Sequence, residues 1–217
     1  MPDSTAFLFD LNGTMVDDMH YHIKAWHKIL TDLGANLTFQ QMKEECYGKN
    51  DELLERIFPG RFSMEEKKTM SLEKESTYQN VYQKDLALIK GLDVFLNSAK
   101  SKEIDMAIGS AAIQMNIDFV IDGLNIRSFF KSIVSADDVV YSKPNPETYL
   151  KCSDQLKVDP KNCIVFEDAI KGVAAAQNAG MKTVVLTTMH AQEEFSEFNN
   201  ILCFVKDYTD PQLNRFF

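Results

Sequence analysis

Four short stretches each place polar or charged side chains directly after an apolar run. They are 7–18 with Asp10, 108–114 with Ser110, 141–149 with Lys143, and 164–172 with Glu167 and Asp168. A carboxylate can attack phosphorus, a hydroxyl with backbone N–H groups can bind phosphate, and an ammonium can neutralise both. Adjacent carboxylates can hold Mg²⁺, which prefers oxygen ligands. The combination predicts magnesium-dependent phosphoryl transfer with Asp10 as the nucleophile.

Each stretch also has a simpler interpretation when it is read alone. Asn-Gly between apolar residues is a hairpin signal, although a helix starting near Asp18 leaves little room for a second strand. Ser110 could be an ordinary helix N-cap, Lys143 a solvated surface lysine, and Asp168 another helix cap. The occurrence of all four stretches in one chain favours the catalytic interpretation.

Six uniformly apolar runs predict the strands that position these residues. They are 6–9, 106–109, 132–135, 163–166, 183–186 and 202–205. Uniformly apolar strands are typical of sheets buried on both faces, and helix-like segments lie between most of the runs. This alternation predicts an α/β fold with a parallel sheet. Ligands bind such sheets at the carboxyl ends of the strands, where all four stretches would meet.

Residues 17–86 contain no strand pattern and predict an all-helical insertion. Met19, Ile23, Trp26, Leu30 and Leu33 form one helical stripe, and Gly34 is a suitable stop. Capping-box patterns begin at Thr38 and Ser63, and Asn50 is predicted to cap a short helix through Phe58. We therefore expect a core of 1–16 and 87–217 and an inserted helical domain of 17–86. A domain inserted after the first strand could act as a lid that excludes water.

The composition limits which binding partners and which cellular compartment we expect for the protein. The formal net charge is −9, which disfavours nucleic acid and anionic membranes. No apolar run is long enough to span a bilayer, and the N-terminus lacks a signal-peptide pattern. The four cysteines are scattered, as is typical of reduced thiols in a cytoplasmic protein. We expect a cytoplasmic monomer that acts on a small phosphorylated metabolite.

The four stretches, in this order, resemble the motifs of the haloacid dehalogenase superfamily over nearly the whole chain. The helical insertion looks like a type C1 cap. The stretches "FLFDLNGTMVDDMHYHIKAWHKIL", "GSAA", "SKPNPETY" and "FEDAIKGVAAAQNAG" are most similar to the β-phosphoglucomutase-like branch. The resemblance implies a Rossmann-like core with a helical cap, Mg²⁺ as cofactor, and a small phosphorylated metabolite such as a sugar phosphate as substrate.

The resemblance also implies a role for individual residues. Asp10 would form a phosphoaspartate, Ser110 and the Ala111 N–H would bind the transferring phosphate, and Lys143 would bridge phosphate and Asp10. Asp168, Asp10 and the backbone carbonyl of Asn12 would coordinate Mg²⁺, with Glu167 supporting that site. In the cap, His22 matches a substrate-gating histidine, and Lys49 or Asn50 lies where the branch contacts a distal phosphate.

Asn12 departs from the family pattern, D-x-D, whose second Asp exchanges a proton with the leaving group and the incoming hydroxyl or water. An amide cannot exchange that proton, although the backbone carbonyl can still bind the metal. Two explanations stay open on the sequence alone. Asn12 is either a substitution introduced to trap an intermediate, or a natural residue of an enzyme that is slow or limited to good leaving groups.

The function also has competing interpretations. A sugar-phosphate phosphatase and a β-phosphoglucomutase-like mutase share every step up to the phosphoenzyme, and loss of the acid/base group weakens the mutase interpretation most. The alternative from another class is a catalytically weak protein that binds and senses a phosphorylated metabolite. A dehalogenase needs no metal, so the Glu167–Asp168 pair argues against that chemistry.

Overall fold

The computed structural model describes residues 5–217 and divides them into two compact units. The core unit ends at Asp17 and resumes from Ala87 to Phe217. The helical unit is Asp18–Leu86.

The core unit is built on a parallel sheet of six strands in the order β3-β2-β1-β4-β5-β6. The strands are β1 (Ala6–Phe9), β2 (Asp105–Gly109), β3 (Ser132–Val134), β4 (Cys163–Glu167), β5 (Lys182–Leu186) and β6 (Ile201–Val205). They coincide with the six predicted runs to within one residue, and the predicted α/β fold is confirmed. β1 is completely buried, as its uniformly apolar sequence indicates.

Helices connect the strands or make up the helical unit. The α-helices of the described residues are α1 (Met19–Asp32), α2 (Phe39–Glu45), α3 (Asn50–Ile57), α4 (Met64–Tyr82), α5 (Leu92–Ser101), α6 (Gln114–Gly123), α7 (Glu147–Leu156) and α8 (Ile170–Asn178). In the residues that the structure describes, none of the helices combines the length and apolar character needed to cross a membrane.

The two faces of β1 bury different kinds of side chain. Leu8 belongs to a cluster with Tyr149 of α7 and Ala175 of α8. Phe7 and Phe9 belong to the other face, where the ring of Phe9 stacks on Phe166 with centroids 4.7 Å apart. Because successive side chains of a strand point to opposite faces, this short segment packs against helices on both sides.

Strand register brings the ends of three strands to one edge of the sheet. Phe9 of β1 pairs with Ile108 of β2 and with Phe166 of β4. The next residue, Asp10, donates its backbone N–H to the Phe166 carbonyl at 3.0 Å. The residues that follow β1, β2 and β4 therefore lie at the same edge of the sheet. Three of the four polar stretches singled out in the sequence begin there.

The helical unit contains α1 to α4 and largely follows its sequence signals. Both predicted capping boxes are present, with Thr38 accepting from the Gln41 N–H and Ser63 from the Glu66 N–H. Gly34 follows α1 with a φ of 93°, a conformation in which glycine is favoured.

The prediction that Asn50 caps α3 is wrong. Lys49 occupies the N-cap position, and its backbone N–H donates to Glu52 Oε2 at 3.1 Å. The Asn50 amide instead donates to Ser71 Oγ and Glu75 Oε1, both at 2.7 Å. Two hydrogen bonds to buried acceptors on α4 contribute more than one N-cap hydrogen bond would, so the amide turns away from the start of the helix.

Candidate active site

Lys143 joins two carboxylates at the edge of the sheet. Its Nζ lies 2.5 Å from Asp10 Oδ1, at the end of β1, and 2.8 Å from Glu167 Oε1, at the end of β4. All three side chains are buried. The interpretation of Lys143 as a solvated surface lysine is therefore wrong, and its ammonium contacts Asp10.

Electrostatics keeps this lysine charged. Burial by itself would lower the pKa of Lys143, but the charges of Asp10 and Glu167 and the hydrogen bonds to them outweigh burial and raise it above its ordinary value. A permanently charged ammonium is therefore held against the carboxylate that we expect to attack phosphorus.

Glu167 accepts four hydrogen bonds, two on each carboxylate oxygen. Oε1 accepts from Lys143 and from the Tyr149 hydroxyl at 2.9 Å. Oε2 accepts from the backbone N–H groups of Asp168 and Ala169 at 2.9 and 2.8 Å. A Cβ at Gly172 would lie 1.6 Å from Oε1, so the start of α8 leaves just enough room for this carboxylate. These contacts fix the Glu167 side chain in a single position.

Asp168 faces the loop that follows β1. Its Oδ1 accepts from Thr14 Oγ1 at 3.0 Å, whereas the N-cap position of α8 belongs to Ala169. The interpretation of Asp168 as a helix cap is therefore wrong. Burial, followed by the charges of Glu167 and Asp10, raises the pKa of Asp168 well above its ordinary value.

The loop after β1 is a tight turn rather than a β-hairpin. Gly13 has a φ of 76°, its N–H donates to the Val16 carbonyl at 2.8 Å, and no second strand follows before α1. A Cβ at Gly13 would lie 2.0 Å from Asp168 Oδ2. Glycine is needed here for its backbone conformation and for the close approach of the carboxylate.

Two residues distant in sequence hold the same loop. Thr188 Oγ1 donates to the Gly13 carbonyl at 2.6 Å, and the Tyr208 hydroxyl donates to the Thr14 carbonyl at 3.2 Å. Neither residue was singled out in the sequence, because a Thr or Tyr after an apolar strand carries no distinctive signal.

Ser110 lies one residue beyond β2, at the same edge of the sheet as Asp10. The interpretation of Ser110 as an ordinary helix N-cap is wrong, since α6 begins at Gln114 with Ile113 in the N-cap position. Its N–H donates to the Val134 carbonyl and its Oγ accepts from the Ala112 N–H. Sheet pairing extends past the strand and delays the helix, so Ser110 and the half-buried Ala111 lie in a loop.

The helical unit contains a buried polar cluster around His22. Lys74 Nζ lies 2.6 Å from His22 Nδ1 and 2.8 Å from Glu75 Oε1. Tyr78 donates to Asp18 Oδ2 at 2.5 Å and its ring stacks on His22. Asn50 joins this cluster through Glu75, while Lys49 is half-buried at the start of α3. The sequence pointed to His22 but not to its partners on α4.

The donor set at the sheet edge fits a divalent cation. Across residues 5–217, no group of three or more His, Cys, Asp or Glu side chains has the arrangement of a metal site. Asp10 and Asp168 nevertheless belong to a buried carboxylate cluster with Glu167, in contact with the ammonium of Lys143. Hard carboxylate oxygens with excess negative charge are what Mg²⁺ requires, and backbone carbonyls can supply further ligands.

A buried carboxylate, an ammonium that contacts it and a second acidic pair, all at one edge of a parallel sheet, define an enzyme site for group transfer. The haloacid dehalogenase-like hydrolase family matches residues 7–186. The chain belongs to this family and is an enzyme of its phosphatase and phosphomutase type.

Similarity to known proteins extends over most of the chain. A β-phosphoglucomutase of Bacillus subtilis is 31% identical, covering 82% of this chain and 81% of its own. A fructose-1-phosphate phosphatase of Escherichia coli is 28% identical, with 82% and 94% covered. Among solved structures, a β-phosphoglucomutase of Clostridium difficile has a TM-score of 0.84 at 27% identity, with 98% of both chains covered.

Proposed function

We propose that the chain is a magnesium-dependent phosphotransferase or phosphatase that transfers the phosphoryl group of a small phosphorylated sugar to Asp10. The observation that carries this proposal is the bridge formed by Lys143 between Asp10 and Glu167 in a buried site. An ammonium beside a nucleophilic carboxylate lowers the cost of bringing a phosphate dianion to it.

Each residue of the site has a distinct task in this proposal. A carboxylate oxygen of Asp10 attacks phosphorus while the P–O bond to the sugar breaks, and the departing sugar oxygen takes a proton from solvent. Water then hydrolyses the phosphoaspartate, which releases phosphate and restores Asp10. Lys143 neutralises Asp10 and the incoming phosphate. The Ser110 hydroxyl and the Ala111 N–H bind the phosphate oxygens. Glu167 holds Lys143 in place, because the four hydrogen bonds that its oxygens accept fix its side chain.

Asp10, Asp168 and the backbone carbonyl of Asn12 would hold Mg²⁺. When bound, the metal supplies positive charge that offsets the negative charge of phosphate and carboxylates. Thr14 orients Asp168 through its 3.0 Å hydrogen bond.

Asn12 distinguishes a phosphatase from a mutase. Attack by a sugar hydroxyl requires a base near the phosphoaspartate, and an amide cannot act as one. The proposal therefore favours hydrolysis of substrates with good leaving groups over mutase activity. We infer sugar phosphates as the substrate class because two relatives are named as a fructose-1-phosphate phosphatase and a β-phosphoglucomutase.

The helical unit serves as the cap in this proposal. In this proposal His22 contacts the substrate, and Lys49 or Asn50, at the start of α3, provides the distal contact. The enzyme would work as a cytoplasmic monomer on freely diffusing metabolites.

Hydrolysis of p-nitrophenyl phosphate, which has a good leaving group, tests the proposal. Turnover should require Mg²⁺, stop on addition of EDTA, and be abolished in Asp10→Ala while the variant keeps its circular dichroism spectrum. Metal-independent release, or full activity of Asp10→Ala, would contradict the proposal.

Asn12 also supports a second candidate, a sensor that binds a phosphorylated metabolite without turning it over. Calorimetry with fructose 1-phosphate and glucose 1-phosphate separates the two functions. Tight binding with Mg²⁺ but without release of phosphate would favour the sensor.

A further inference from the structure

Tyr149 contacts the candidate active site through Glu167. It lies on α7 and is completely buried. Its hydroxyl donates to Glu167 Oε1 at 2.9 Å, and the same oxygen accepts from Lys143 Nζ at 2.8 Å. Tyrosine hydroxyl and lysine ammonium therefore share one carboxylate oxygen.

The aromatic ring makes a second contact to the same lysine. Lys143 Nζ lies 4.7 Å from the centroid of the Tyr149 ring, within the range of a cation–π interaction. A Cβ at Gly109 would lie only 3.2 Å from Tyr149 Cδ1, which shows how closely β2 packs against the ring. Tyr149 is thus a fixed platform for the ammonium.

The hydroxyl influences how Lys143 divides its interactions between two carboxylates. With the Tyr149 hydroxyl present, part of the hydrogen-bonding capacity of Glu167 Oε1 is satisfied by a neutral donor. Without it, the ammonium becomes the principal donor to that oxygen and is drawn toward Glu167, away from Asp10. Both carboxylates compete for the same charge in a buried site, where such shifts have large effects.

We propose that Tyr149 is a positioning residue: it fixes Glu167 Oε1 with its hydroxyl and Lys143 with its ring, so that the ammonium faces Asp10. This inference rests on the proposed function, because it concerns the placement of Lys143 during phosphoryl transfer.

Tyr149→Phe tests the hydroxyl while keeping the ring. We expect kcat for p-nitrophenyl phosphate to fall about tenfold, because loss of a group that orients a functional side chain typically costs at least this much. KM should change by less than about twofold. Tyr149→Met also lacks the hydroxyl and fills much of the ring's volume, so it provides the same test if the Phe variant does not fold. Its kcat should fall at least as far, because the cation–π contact is lost as well.

A double-mutant cycle with Glu167→Gln shows whether Tyr149 acts through Glu167. Adding Tyr149→Phe to Glu167→Gln should lower kcat by less than about twofold further, because the acceptor that Tyr149 orients is already altered. Leu156→Ala, a buried change on the same helix, is the matched control for stability. It should lower the melting temperature but leave kcat close to that of the parent.

Several outcomes would overturn the inference. An unchanged kcat in folded Tyr149→Phe, a full tenfold effect in both backgrounds, or an equal loss of kcat in Leu156→Ala would reduce Tyr149 to a packing residue. Asp10→Ala, assayed in parallel, keeps the two proposals separate. If it retains activity, the proposed function fails; if it is inactive while Tyr149→Phe is fully active, only the inference about Tyr149 fails.

Discussion

Lys143 Nζ lies 2.5 Å from Asp10 Oδ1, although the two residues are separated by 133 positions in the chain. The parallel sheet explains the contact, because Lys143 follows β3 and Asp10 follows β1, and both loops leave the same edge. A buried ion pair requires favourable geometry to offset desolvation of its charges. Its presence beside a third charged group, Glu167, is better explained by function than by stability.

Lys143→Met should lower kcat for p-nitrophenyl phosphate by about 10²–10³-fold, because it removes a positive charge aimed at the reacting groups. Lys143→Arg should recover only a small part of this loss, since a planar guanidinium does not fit the position of a compact ammonium. Steady-state kinetics with circular dichroism as a folding check measures both effects.

Lys151→Met is the control for removal of a lysine charge. Lys151 is a partly exposed residue of α7 that pairs with Glu147 at 2.8 Å. Its replacement should leave kcat within about twofold, because exposed ion pairs contribute little. Equal activity of Lys143→Met and Lys151→Met would remove Lys143 from the catalytic machinery.

Gly172→Ala should destabilise the protein, although the same change in a helix is ordinarily stabilising by about 0.5–1 kcal/mol. The added Cβ would lie 1.6 Å from Glu167 Oε1, so the carboxylate that holds Lys143 must move. Chemical unfolding should show a lower midpoint, and kcat should fall at least about tenfold.

The unexpected sign of the Gly172 effect makes the test specific. Increased stability with unchanged kcat would show that Glu167 does not need the space that glycine leaves. Gln177→Ala on the same helix provides a comparison, since it tests a substitution in α8 away from the carboxylate cluster.

The sequence was sufficient to predict the sheet and the convergence of its loops. Six apolar runs became six parallel strands, and the residues that follow them meet because parallel strands share a carboxyl edge. Asp10, Lys143 and Glu167 were each predicted from residue type and position after a strand, and the structure shows them in contact.

What sequence reasoning missed depends on competition between partners. Asn50 is a good capping residue, but its amide donates to α4, 21 and 25 positions away. Ser110 is a good N-cap, but its N–H continues the hydrogen bonding of the sheet. Tyr149 has an ordinary place on an amphipathic helix, and only the folded chain shows that its hydroxyl meets Glu167. Such choices are decided by tertiary contacts that local patterns do not contain.

Glu75 should make the stability of the helical unit depend on pH in the acid range. Burial opposes its ionisation, but the charges of Lys74 and His22 outweigh burial and lower the pKa of Glu75 below its ordinary value of 4.5. Its stabilising contribution is therefore complete above about pH 4.5 and is lost as pH falls through the lower pKa of the folded state.

Glu75→Gln should reduce the free energy of unfolding by about 1–3 kcal/mol at neutral pH, and the difference should shrink as pH falls below 4.5. Urea unfolding at a series of pH values measures this trend. Glu73→Gln makes the same change of charge at an exposed position of α4 and should have little effect. A difference between Glu75→Gln and the parent that stays constant from neutral pH to pH 3 would contradict the lowered pKa.

Asn12→Asp should raise the turnover of alkyl phosphates by about 10²–10⁴-fold, because it introduces a carboxyl group that can donate a proton to a poor leaving group. For p-nitrophenyl phosphate the increase should be much smaller, since p-nitrophenolate leaves without a proton. The ratio of the two effects separates acid–base catalysis from a general improvement of the site. Phosphate release from fructose 1-phosphate and p-nitrophenyl phosphate, measured with saturating Mg²⁺ for both proteins, gives that ratio. Equal gains on both substrates would assign the effect of Asp to a step that the substrates share, such as activation of the water that hydrolyses the phosphoaspartate, and no gain on either would show that residue 12 takes no part in proton transfer.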